Sequence, residues 1–152
     1  MNRRDLSILG WAALALLCAA CATPQSAPIC SQPPGLVSAE GDPQMNTVGI
    51  VDESLAKGGP IRGGGRIAIA ATNARRTPSG TLEAWAHVRN CTTQALQIEA
   101  RALFYDADQY PVEEPTAWTR LFVPKNSSVA YKALSANDSR VTYYYLELRE
   151  AR

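Results

Sequence analysis

From Leu82 to Val88 every second residue is apolar, with Leu82, Ala84, Ala86 and Val88 on one side and Glu83, Trp85, His87 and Arg89 on the other. Leu96, Ile98, Ala100, Ala102 and Phe104 repeat the pattern against Gln97, Glu99, Arg101, Leu103 and Tyr105. A period of two is the side-chain repeat of a strand. Thr81–Asn90 and Leu96–Tyr105 therefore predict two half-buried strands, separated by a turn at Asn90-Cys91-Thr92-Thr93. Shorter segments rich in β-branched and aromatic residues predict the others: Thr47–Leu55, Arg66–Thr72, Trp118–Val123, a strand marked by Val129 and Tyr131, and Val141–Arg149. In the last, Tyr144, Leu146 and Leu148 form the expected inner face. No window of the domain carries a helical period. About seven short strands at this spacing predict an all-β chain with a single Ig-like β-sandwich.

The first 45 residues read differently. Leu6–Ala20 is an apolar run of 15 residues behind a short basic start. Spanning a bilayer takes about 20, so the run reads as a secretory signal rather than a membrane span. From Ala22 to Gln44 there is no apolar periodicity, and five of the ten prolines lie there. Proline removes donors and favours extended conformers, which predicts a disordered Pro-rich tether. The expected division is residues 1–20 signal, 21–45 attachment residue and linker, and 46–152 sandwich.

Charge narrows the function classes. Arg3, Arg4 and Asp5 fall in the signal, and the remaining 13 basic and 13 acidic side chains cancel. A neutral chain without a basic stripe argues against nucleic-acid binding, which depends on clustered positive charge.

Two resemblances add to this reading. Leu17-Cys18-Ala19-Ala20-Cys21 resembles the lipobox of bacterial lipoproteins, with Cys18 standing where leucine is usual. It implies that Cys21 is acylated and becomes the first mature residue, held in the membrane by its acyl chains. Ala22 is not the aspartate that retains such proteins at the inner membrane, which points to the outer membrane, facing the periplasm. Arg3-Arg4 leaves the export route open between the general and the twin-arginine pathway. The second resemblance is to the YcfL-like family of small bacterial lipoproteins and the broader FxLYD-type Ig-like modules. It is carried by L-x-A-x-A-x-V-x-N-C at Leu82–Cys91, by L-x-I-x-A-x-A-L-F-Y-D-A-D at Leu96–Asp108, and by Ala133-Leu134-Ser135-Ala136-Asn137 before the Tyr-rich last strand. It implies an arch at Asn90 whose flanking strands lie in opposite sheets. Members often stand beside lipoprotein activators of peptidoglycan-synthesising enzymes, which implies a cell-wall context.

The remaining candidate chemistry is sparse. With Cys18 in the signal and Cys21 acylated, Cys30 and Cys91 are the pair left. An oxidising compartment permits their disulfide, with two unpaired thiols as the alternative. His87 is the only histidine and has no ligand-spaced partners, so no metal site, catalytic residue or cofactor is expected. Asp106, Asp108, Glu113 and Glu114 match no calcium loop and read as turn formers. Gly63-Gly64-Gly65 lacks the Lys-Ser/Thr of a phosphate loop and reads as a flexible connection. Trp85, Leu103, Tyr105, Tyr143 and Tyr145 fall opposite the expected core and form the candidate partner surface. These observations predict a non-enzymatic envelope lipoprotein that binds or scaffolds a protein partner. The alternatives are a lipoprotein of a secretion apparatus, and a small-ligand carrier or weak hydrolase built around a deep polar pocket.

Overall fold

A computed structural model describes residues 29–31, 37–38, 45–136 and 140–152. The signal, Cys21, Asn137 and most of the 21–45 stretch lie outside the described residues. A single 3-10 turn spans Ile29–Ser31. The strands are β1 (Val37–Ser38), β2 (Thr47–Ile50), β3 (Ile67–Arg76), β4 (Leu82–Asn90), β5 (Leu96–Tyr105), β6 (Thr119–Val123), β7 (Ser128–Leu134) and β8 (Tyr143–Glu150), with a one-turn helix α1 (Glu53–Ala56) after β2. Two sheets form: β1-β2-β8-β5-β6 and β3-β4-β7. All pairings are antiparallel except that of β2 with β8. The chain is an all-β sandwich.

Alternation decides the core. Leu82, Ala84, Ala86 and Val88 of β4 meet Ile98, Ala100, Ala102 and Phe104 of β5 across the interior, with Leu146 and Leu148 of β8 beside them. Phe104 and Tyr144 are the largest side chains completely enclosed there. Burying a side chain of this size stabilises by about 1.5–3 kcal/mol, so these few rows carry most of the hydrophobic drive. The alanines have a second effect. Four short side chains along the middle of β4 and β5 let the sheets approach closely around the larger Phe104, Tyr144 and leucines. Tyr144 is buried with its hydroxyl 3.0 Å from that of Thr72, and Thr72 Oγ1 also bonds to the Trp85 carbonyl, so no phenol is stranded.

Three expectations change. Thr47–Leu55 is not one strand: pairing with β8 ends at Ile50, and Asp52 caps a helical turn, its side chain accepting from Ser54 N. A short acceptor two residues ahead of a free backbone donor favours that turn over continued strand. Leu55 is carried inward by it and is fully buried. The second strand runs on to Arg76 because a bulge between Ile69 and Ala71 inverts the alternation. Ile67 and Ile69 point inward before it, Thr72 and Ala74 after it. Within Gly63-Gly64-Gly65, expected as a flexible connection, the last two residues are packed and Gly63 is exposed. Gly64 and Gly65 are buried, Gly59 N donates to the Gly64 carbonyl, and Gly58 bridges to Gly65.

The turn between β4 and β5 is an arch, since the two strands lie in different sheets. Asn90, fully enclosed, ties it down. Its Nδ2 donates to the carbonyls of Gln94, Val123 and Pro124 at 2.7, 3.0 and 3.2 Å, and its Oδ1 accepts from Thr92 N and Thr92 Oγ1, both at 2.8 Å. One amide thus joins the arch to the turn between β6 and β7. Beside it Cys91 is bonded to Cys30 at 2.08 Å, linking the 29–31 turn to the arch across 61 residues. Gly64 lies under this link, because a Cβ there would stand 2.4 Å from the Cys30 carbonyl oxygen. Only glycine lets the two backbones approach so closely.

Candidate functional site

The antiparallel register of β5 and β8 sets the outward face of the five-stranded sheet. Glu99 stands opposite Arg149, Arg101 opposite Glu147, Leu103 opposite Tyr145, and Tyr105 opposite Tyr143. Directly opposed side chains on one face interact, so the face divides into two zones.

The zone nearest the arch is charged. Glu99 bridges Arg149 at 2.8 Å and Arg120 of β6 at 3.2 Å, while Arg101 pairs with Glu147 at 2.5 Å. The Arg149 guanidinium, then the Arg120 one, holds the Glu99 carboxyl below the usual carboxylate range against the opposing effect of burial. Trp118, just ahead of β6, lies against the pair: the Arg149 and Arg101 guanidinium carbons are 3.9 and 4.5 Å from its ring centre. Cations over an indole face are attracted by its quadrupole. A hollow of about 260 Å³ opens there between Val51, Asp52, Trp118 and the two arginines.

The zone away from the arch is aromatic. Leu103, Tyr105, Tyr143 and Tyr145 adjoin one another, each partly exposed. Burial, then the charge of Glu147, pushes the Tyr105 and Tyr145 hydroxyls above their ordinary range. Tyr145 reaches across β2, where a Cβ on Gly49 would stand 1.9 Å from its hydroxyl oxygen. Thr47, opposite Tyr145, is buried, and its Oγ1 has no hydrogen-bond partner.

Trp85 does not belong to this surface. It sits in β4, on the outward face of the other sheet, edge to face with His87 at 5.2 Å. The five residues grouped from the sequence therefore fall on opposite sides of the sandwich, four on one and Trp85 on the other. The error has a plain cause, since alternation tells inward from outward but not which sheet a strand joins. Sequence reasoning also missed Trp118. It lies outside any alternating run, and its arginines come together only through the β5–β8 register.

Other singled-out groups have structural roles. Asp106 Oδ1 accepts from Asp108 N and Tyr110 N, both at 2.9 Å, closing the turn after β5. Glu113 accepts from Ala136 N. His87 is exposed beside Arg75, Glu83 and Lys132 at a small surface hollow. Among the described residues no three of His, Cys, Asp and Glu gather as metal ligands.

No family model matches this chain, and no curated protein sequence does. Its fold is similar to the crystal structure of a DUF1425 family member from Shewanella sp., with TM-score 0.51 and 21% identity over 57% of this chain and 79% of that one. The Campylobacter jejuni protein cj0090 also matches, with TM-score 0.49 and 19% identity over 68% of this chain and 95% of that one. The Shewanella likeness supports the fold.

Proposed function

We propose that this chain is a non-enzymatic envelope lipoprotein of the YcfL-like kind, held at the periplasmic side of the outer membrane by an acylated Cys21. Its sandwich binds or scaffolds a protein partner, with cell-wall synthesis as the leading context. The observation that carries the binding role is the contiguous outward zone of Leu103, Tyr105, Tyr143 and Tyr145. Tyrosines offer large area at small entropic cost and a hydroxyl that tolerates water, which is why they are enriched where proteins meet. The neighbouring Arg101–Trp118–Arg149 group supplies a polar, directional rim. The charged side chains here are held by one another, Arg101 by Glu147 and Glu99 by both Arg149 and Arg120.

The test replaces Tyr105 and Tyr143 with serine in the full chain and recovers cross-linked envelope complexes. Loss of a specific partner with the melting temperature retained supports the reading. Unchanged recovery from a folded variant overturns it.

A further inference from the structure

The described residues carry five large apolar side chains that are strongly exposed: Val51, Ile61, Tyr110, Phe122 and Leu134. Three of them share one end of the sandwich. Val51 follows β2 and donates its N–H to the Leu148 carbonyl near the end of β8. Phe122 stands opposite Gln97 at the start of β5. Ile61 lies in the 57–66 loop, whose Gly64 packs on Cys30. This is the end that also holds α1, the Asn90 arch and the Cys30–Cys91 bond. The same loop carries Lys57, Arg62 and Arg66, of which Lys57 pairs with Glu53 and Arg66 with Glu150, and it borders a hollow of about 520 Å³.

We infer that the arch end is a membrane-facing end, docked on the phospholipid surface through Ile61, Val51 and Phe122. This deepens the reading above and rests on acylation of Cys21. The length of chain between the anchor and the fold argues for it. Cys30 follows Cys21 by only nine positions. Whatever their conformation, nine residues reach at most about 30 Å. The long strands β3 and β5 have ten residues each, which makes the sandwich about 33 Å from end to end. Inverting the domain on the membrane would lift Cys30 by that whole length, as far as the fully extended link can reach. Without the disulfide, the first sheet contact after Cys21 is Val37, which pairs with Val48 in mid-strand and lies 16 residues away, about 55 Å at most. Neither end would then be preferred. The disulfide turns a long leash into a short one attached at one end.

The occupant also fits the chemistry. Exposed aliphatic and aromatic side chains beside lysine and arginine match the acyl–headgroup boundary of a phospholipid leaflet. Docked in this way, Tyr105 and Tyr143, which lie at the other end of β5 and β8, point away from the lipid into the periplasm.

The test uses the full acylated chain in vesicles of three parts phosphatidylethanolamine to one part phosphatidylglycerol. A small environment-sensitive fluorescent amino acid is placed at position 61 or, separately, at position 110, and quenched with a nitroxide-labelled lipid. Severalfold stronger quenching at 61 than at 110 is expected, and a Cys30→Ser/Cys91→Ser variant should narrow that difference. Equal quenching, or stronger quenching at 110, overturns the proposed orientation. If the protein fails to float with the vesicles at all, the acylation reading fails, and the orientation with it.

Discussion

Replacing Asn90 with alanine removes two donor hydrogens and one acceptor from a point that water does not reach. The Val123 carbonyl loses its Nδ2 partner and Thr92 N loses Oδ1, while the exposed Pro124 carbonyl keeps its bond from Ser127 N. A hydrogen bond contributes about 1 kcal/mol net, and each group left buried without a partner costs about 1–3 kcal/mol. Gln94 O and Thr92 Oγ1 lie on partly exposed residues and can rehydrate, so the total should be about 3 kcal/mol. A domain of this size is stable by about 5–15 kcal/mol, so the loss is a large share. At about 4–8 °C per kcal/mol it lowers the melting temperature by roughly 12–24 °C. Thermal unfolding followed by far-ultraviolet circular dichroism would measure it, with Thr92→Ala as the reference, since that change removes one partly exposed hydroxyl and should cost about 1 kcal/mol. An Asn90→Ala loss no larger than that of Thr92→Ala would refute the view that this amide ties the arch to the β6–β7 turn.

Other outcomes follow from the same geometry. Reducing or removing the Cys30–Cys91 bond should lower stability by about 4 kcal/mol in the chain-entropy model, read as a drop in urea midpoint between oxidised and reduced protein. Thr47→Val removes a buried hydroxyl that has no partner, so it should be neutral or stabilising by about 1 kcal/mol, and marked destabilisation would reveal a bond to that oxygen. Glu99 ionises more readily folded than unfolded, so its contribution is present above the ordinary glutamate range and lost as pH falls through and below it. Glu99→Gln should therefore flatten the acid limb of a stability–pH curve below about pH 4.5 while leaving its alkaline limb unchanged.

The inward rows of β4, β5 and β8 were legible because their surroundings are simple: one face meets the core and the other meets water. That logic needs no partner strand. It gave Leu82–Val88, Leu96–Phe104 and Tyr144–Leu148 their faces directly. It failed where a residue's role depends on what lies beside it. Asp52 interrupts a β-prone run through a local bond to Ser54 that outweighs the preference of Val51 and Leu55 for strand. Ala70 shifts the alternation of β3 by one residue, which no hydrophobic count registers. The outward residues suffered most. Trp85 and Tyr105 both alternate away from the core, yet they belong to different sheets, and only the arch at Asn90 separates them. Arg101, Trp118 and Arg149 are brought together by strand register over almost 50 residues.

That separation supplies an internal control for the claim that the outward face of the five-stranded sheet is where recognition occurs. A photo-activatable amino acid at position 105 and another at position 85 differ in the face they present and in little else. In vivo cross-linking with mass spectrometry should capture a defined envelope protein from position 105 and not from position 85. Capture from 85 alone, or from neither position in a folded, membrane-attached protein, would contradict the account.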